Sequence, residues 1–340
     1  MNNTMLTEPS FFKKESNADG AAEFKRCLPV NVNTSFTTLA PAIATVEQQR
    51  LKPVLGALLF DEAAAYYATK GIKGNDAVKN ELVALIQMAV VRLAYWDSFD
   101  QLAVMMADTG ISDHNAENRA YRYQADALKD SLLRQGFNYL NQIVGYCTEH
   151  ILALPLFRQS EEYSIMESSI IRSLKEMESV VPLNGDYFLF SRLRGYIGET
   201  EAMELPYRVG STLATLLATS RNENRISVLM RSARGFVAHW SMAEASPFLN
   251  IVMTPQGLML MSEKDGGSHG GRTANTPRPD MLGAYQQQHR EMAERYIGQL
   301  VTYCKQHVEV YPEIAEIGLS SDHEKTAGHR NNRGKKTFLA

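Results

Sequence analysis

Apolar residues recur along this chain in two patterns, and each pattern occurs twice. Leu82, Leu85, Ile86, Ala89, Leu93 and Trp96 fall on one stripe at helical spacing. Ile226, Leu229, Met230, Ala233, Val237 and Trp240 repeat that stripe position for position. Side chains three and four residues apart share a helix face, so the spacing predicts one amphipathic helix in each half. Past each helix the period shortens to two. Leu102, Val104 and Met106 precede Gly110-Ile111, and Leu249, Ile251 and Met253 precede Gly257-Leu258. That alternation predicts a short β-hairpin in each half, with turns at Asp108-Thr109-Gly110 and Pro255-Gln256-Gly257. A long helix follows each hairpin, from about residue 116 to 151 and from about 281 to 310. Tyr121, Leu128, Leu132, Phe137, Leu140, Ile143, Val144 and Cys147 supply the apolar side of the first.

The halves also match in identity. YLNQIVGYCTEH (139–150) and YIGQLVTYCKQH (296–307) share Tyr139/Tyr296, Gln142/Gln299, Val144/Val301, Tyr146/Tyr303, Cys147/Cys304 and His150/His307. EQQRLKPVLG from Glu47 and EAMELPYRVG from Glu201 share the order Glu, Leu, Pro, Gly. The expected fold is mainly α: two tandem related helical domains, each with a short β-hairpin, flanked by flexible termini. The domains span 45–156 and 199–316, the second interrupted by a Gly-rich loop at 265–280. An N-terminal arm (1–44) precedes them, a linking helical segment (157–198) joins them, and a basic tail (317–340) follows. Within the link, SIMESSIIRSLKEMESVV reads as one helix with Ile165, Ile170, Ile171, Leu174 and Met177 on a common side. Residues 1–35 show no sustained period and 319–340 are polar and basic, so both are expected to order only on a neighbour.

Bulk properties narrow the possibilities. The 340 residues are 44% hydrophobic and 21% charged, as in a folded soluble protein. A formal net charge of −3 gives no sign, over the whole chain, of the basic surface that phosphate binding requires; a local patch stays open, and no sequence-specific nucleic-acid binding is expected. Three cysteines suit a reducing compartment rather than a disulfide scaffold. The first residues lack the basic-then-apolar order of a signal peptide. Gln87 and Arg92 interrupt the most apolar stretch, 82–96, which is short for a membrane span.

Candidate chemistry is sparse. Cys147/His150 and Cys304/His307 are Cys-x-x-His pairs, and together they would offer two thiolates and two imidazoles for zinc. Against that, each Cys lies on an apolar stripe and each His sits near a helix C-terminus, where positive charge is favourable. The other histidines, His114, His239, His269, His289, His323 and His329, are scattered, and His239, beside Trp240, reads as a boundary residue rather than a base. No Gly-x-Ser-x-Gly, HExxH, phosphate-loop or helical Glu-x-x-His pattern occurs. The reading is of a non-enzyme, with neither catalytic residues nor a cofactor expected.

The segment AYWDSFDQLAVMMADTGISDHNAENRAYRYQADALKDSLLRQGFNYLNQIV (94–144) resembles an uncharacterised family from phages and prophages of gut Bacteroidetes. That family shows a helix ending in an aromatic-rich turn, a v-x-i-x-x-x-G-i stretch and a long Tyr/Gln/Leu-rich helix. Its members are similar to helical head–tail connector proteins, and the opening Glu47…LKPVLG resembles the start of such domains. The first domain matches over roughly its full length. The second departs at its Gly-rich loop and at Ser241–Phe248. The resemblance implies a structural virion protein of the phage neck, assembled in the host cytoplasm. It implies a homo-oligomeric ring of about twelve copies, with the portal protein and other neck and tail ring proteins as partners. Contacts are expected at the turns (Asp108, Thr109, Gly110, Pro255, Gln256, Gly257) and in the tail (Lys335, Lys336, Phe338, Leu339), because loops carry binding more often than cores. Two alternatives stay open: a metal-binding protein using the paired Cys-x-x-His motifs, and a helical scaffold unrelated to virions.

Overall fold

The computed structural model describes the backbone of residues 9–12, 23–28, 36–70, 74–102, 104–107, 110–113, 122–249, 251–254, 257–260 and 279–316. Side chains are described for these residues except 37, 70, 104–107, 110–113, 122–126, 251–254, 257–260, 279–281 and 315–316. In the first half α1 (residues 23–27) precedes α2 (Phe36–Val46) and a π-helical turn, Glu47–Leu51. Then come α3 (Lys52–Leu55), α4 (Ala57–Lys70), α5 (Ala77–Leu102) and α6 (Arg122–Glu149). A 3₁₀ turn at Pro155–Gln159, α7 (Glu161–Ser168) and α8 (Leu174–Glu178) lead onward. The second half repeats the order. It runs α9 (Tyr187–Glu199), a π-turn at Thr200–Glu204, α10 (Leu205–Val209), α11 (Ser211–Thr219), α12 (Asn224–Ser227), α13 (Met230–Leu249) and α14 (Pro279–Gln306). A 3₁₀ turn, Pro312–Glu316, closes it.

The repeated stripes become the cores of two compact units. Leu82, Ile86, Ala89 and Leu93 are buried on α5, and Ile226, Met230, Ala233 and Val237 are buried at the matching positions. Upstream the correspondence continues: Leu39/Leu193, Ile43/Ile197, Leu51/Leu205 and Leu59/Leu213 are all buried pairs. Pro53 and Pro206 closely follow the π-turns within unbroken helical runs, and each withholds one N–H from the helix there. Gly56 (φ 77°) and Gly210 (φ 85°) end those helices in a conformation that favours glycine. At Gly56 a side chain would also meet Ser160, 2.9 Å from a built Cβ.

Each unit holds its two long helices together through a glycine. In the first, Gly136 of α6 lets Leu93 of α5 approach to 2.6 Å from where a Cβ would stand. Arg92 crosses the same interface, stacking over Tyr139 at 4.7 Å and donating to Gln135 Oε1 at 3.0 Å. In the second the glycine has changed sides. Gly235 of α13 faces the ring of Tyr296 of α14, 2.4 Å from a built Cβ. Tryptophan sits half-buried in each unit beneath an arginine: Arg50 over Trp96 and Arg208 over Trp240, each 5.3 Å from the ring centre. Helix α5 is also the one described helix long and apolar enough to cross a membrane, and most of that window is buried in the protein, as a core helix would be.

Three expectations are corrected. Mainly helical architecture is what the described residues show, but the two β-hairpins are not part of it: no strand occurs among the residues whose side chains are described. The ladders Val104–Ala107 with Gly110–Asp113, and Ile251–Thr254 with Gly257–Leu260, are described in backbone alone and are not counted as elements of the folded body. A two-stranded ribbon has no core of its own, so alternation around a glycine is weak grounds for one. The N-terminal arm is not wholly flexible either. Phe11, Phe12, Phe24, Cys27 and Leu28 are buried, and the Tyr67 hydroxyl donates to Glu23. Finally, the segment read as one helix over SIMESSIIRSLKEMESVV is two, α7 and α8, separated by a bent, non-helical stretch that carries Ile170 and Ile171.

Candidate functional site

The stretch between α7 and α8 leads to a site that occurs twice. In the first unit Ser10 and Phe11 run past the π-turn, and Glu47 meets them. Ser10 N–H donates to Glu47 Oε2 at 2.7 Å and Phe11 N–H to Oε1 at 3.2 Å. The Phe11 carbonyl accepts from Gln87 Nε2 of α5 at 2.7 Å. In the second unit Ile170 N–H and Ile171 N–H donate to Glu201 Oε1 at 2.8 and 3.3 Å, joined by Ser169 Oγ at 2.9 Å. The Ile170 carbonyl accepts from Arg234 Nε of α13 at 3.4 Å, and the Ser169 carbonyl from Arg221 at 3.3 Å. Both sites therefore hold a strap of sequence Ser-apolar-apolar-basic: Ser10-Phe11-Phe12-Lys13 and Ser169-Ile170-Ile171-Arg172.

The geometry follows from the backbone beneath it. A π-turn carries one residue more than an α-turn, and here the Lys52 N–H bonds back to Glu47 O and Leu205 N–H to Thr200 O. The extra residue lets a glutamate and the neighbouring leucines point inward together. Glu47 is fully buried beside Leu51. A carboxylate so far from water persists only where donors replace its hydration. The strap amides supply them, while Phe11, Phe12, Ile170 and Ile171 fill apolar seats at 2% exposure or less. Each site grips a main chain and two apolar side chains.

The second unit adds a pair of imidazoles. His239 of α13 and His289 of α14 are both buried, with their Nδ1 atoms 2.9 Å apart. Tyr296 stacks on His239 at 5.7 Å and Tyr285 lies against His289 at 4.4 Å. Burial, and then the neighbouring His289, push the pKa of His239 down to about 4, and burial lowers that of His289. One ring donates and the other accepts, so the pair is neutral.

The candidate residues chosen from sequence fall elsewhere. Cys147 and Cys304 are fully buried on α6 and α14, and burial pushes their thiols up to about 12 and about 11. His150 packs on Tyr146 at 4.4 Å and His307 on Tyr303 at 4.6 Å, so each imidazole lies against a ring of its own helix. Among the described residues no group of three or more His, Cys, Asp or Glu comes together as a metal site. Asp108, Thr109, Pro255, Gln256, Lys335, Lys336, Phe338 and Leu339 lie outside the described residues, and of Gly110 and Gly257 only the backbone is described. The sequence reading passed over both straps and both carboxylates. The one signal was the recurrence of Ser-apolar-apolar-basic upstream of each matching glutamate.

No curated protein and no solved structure matches this chain. One family model does, twice, over residues 51–166 and 198–318, which between them cover most of the sequence and restate its duplication. The chain belongs to that family, a family of unknown function (DUF6712).

Proposed function

We propose that this protein is a structural assembly subunit, and more specifically a head–tail connector or ring component of a phage neck, placed between the portal and the tail proteins. The observation that carries the coarser reading is the twofold occurrence of a π-turn carboxylate, fully buried at Glu47 and half-buried at Glu201, gripping a non-helical strap by its amides. Segments held by main-chain bonds and paired apolar anchors are a recurrent way of joining one folded body to another. The finer reading rests on the resemblance of residues 94–144 and of the opening at Glu47 to connector proteins. A modestly acidic chain suits a channel that DNA must pass without sticking, because phosphate and carboxylate repel.

Peptide mass spectrometry on density-purified, nuclease-treated particles tests this. The expected result is this chain at a copy number close to that of the portal. Its absence from particles in which the portal is clearly detected would remove the virion reading.

A further inference from the structure

The two straps are held alike but tethered differently. After Ile171, only Arg172 and Ser173 intervene before α8. After Phe12, residues 13–22 intervene before α1, a length of chain that reaches roughly 35 Å at full extension.

Recognition itself is local. The grip consists of a glutamate from the π-turn on the strap amides, a side chain of the following long helix on the strap carbonyl, and two apolar seats. None of these contacts depends on which chain carries the strap. Seating Phe11 and Phe12 also removes two large apolar side chains from water and supplies donors to a carboxylate that is otherwise costly to bury. An empty site would expose that cost, so the site favours being filled by any copy within reach.

We propose that the first clamp, built from Glu47, Gln87 and the seats of Phe11 and Phe12, is an exchange site whose occupant in the assembled protein is the Ser10–Phe12 strap of a second copy of this chain. The inference rests on the assembly reading above but not on the virion reading. Each subunit gives one strap and receives one. Such head-to-tail donation closes into a ring when the rotation between neighbours permits.

The test uses the full chain with Phe12 replaced by the photoreactive p-benzoylphenylalanine, irradiated from about 1 to 100 µM and resolved on a denaturing gel. The expected product is a species of twice the chain mass and higher multiples. Peptide mapping of that species should place the crosslink in the first clamp's own seat for Phe12, around Phe36, whose ring lies 5.9 Å from that of Phe12. In the same background Glu47→Gln puts an amide N–H where the strap amides donate, and should lower the double-mass yield about tenfold. Circular dichroism on that variant separates a lost grip from a lost fold. Crosslinks confined to single-mass chains across the whole range would overturn the exchange. A double-mass species whose crosslinks map away from the clamp would overturn it equally. In either case the particle composition still decides the virion reading by itself.

Discussion

The two clamps do one job with different parts. Glu47 spreads the Ser10 and Phe11 amides over both its oxygens, whereas Glu201 gathers two amides and a hydroxyl on Oε1. Two phenylalanines fill the first pair of seats and two isoleucines the second. The strap carbonyl is met by a neutral amide in one case and a guanidinium in the other. What persists is the carboxylate on a π-turn, the bond to the first apolar residue's N–H, and two buried apolar side chains. The difference teaches that the strap is recognised through its main chain and its apolar bulk, with particular side chains free to vary.

The comparison breaks most visibly at the carboxylates. Glu47→Ala and Glu201→Ala each strand buried amides and should each cost about 3 kcal/mol. The only two tryptophans allow separate readings: Trp240→Phe leaves Trp96 to report the first unit, and Trp96→Phe leaves Trp240 to report the second. In urea titrations Glu47→Ala should move the Trp96 transition and Glu201→Ala that of Trp240. Equal movement of both transitions by either variant would show that the clamps are not independent.

Acid should separate the units next. His239 and His289 are neutral and paired in the fold, with no counterpart in the first unit, where Tyr95 and Leu132 stand at the matching positions. The folded pKa of His239 lies near 4, below the ordinary value of 6.5, so the unfolded chain takes the proton first. Stability from this pair is full above pH 6.5 and is lost as pH falls toward 4, by on the order of 3 kcal/mol. Amide exchange across α13 should accelerate over that window in the wild type. His239→Tyr, which installs the first unit's residue, should flatten that pH dependence. A wild-type α13 no more acid-sensitive than α5 would remove the pair as the cause.

Smaller effects sharpen the contrast. Gly235→Ala drives a methyl into a flat ring that cannot bend, and should cost about 2 kcal/mol in thermal unfolding. Gly136→Ala meets the end of Leu93, which can change rotamer, and should cost about 1 kcal/mol. The reverse order would mean that the close approach is not what limits these crossings. Smallest are Arg50→Lys and Arg208→Lys. Each gives up the planar stack over its tryptophan for about 0.5 kcal/mol and a shift in the emission of that tryptophan alone.

Much of the helical frame was legible because burial follows period. The stripe residues Leu82, Ile86, Ala89 and Leu93 of α5 are fully buried, although Val83, Val90 and Val91 off the stripe are buried as well and Leu85 on it is only half-buried, and Cys147 and Cys304 lie in the interior where the stripe placed them. The straps were illegible for the opposite reason. Phe11-Phe12 and Ile170-Ile171 are adjacent apolar pairs, and a non-helical segment that buries both members has no period to detect. Ile165 misled in the same place. It lies on the helical stripe drawn through Ile170, yet it is largely exposed, because α7 ends at Ser168. Glu47 and Glu201 read as helix-opening polar residues, and only a bulged turn could carry them inside. His239 and His289 are distant in sequence, and only the α13–α14 crossing joins them.

The bulged turn has a consequence for how this chain can change. Removing one residue from 47–51 or 200–204 would turn the π-turn into an ordinary helix and swing everything on one side of it by about 100°. The glutamate would then face away from its strap while the leucines after it kept their places. Between the matching Glu47/Leu51 and Glu201/Leu205, the three intervening residues, QQR and AME, share nothing but their number. What is fixed between glutamate and leucine is spacing rather than chemistry, so substitutions at those three positions are absorbed and single-residue deletions are not.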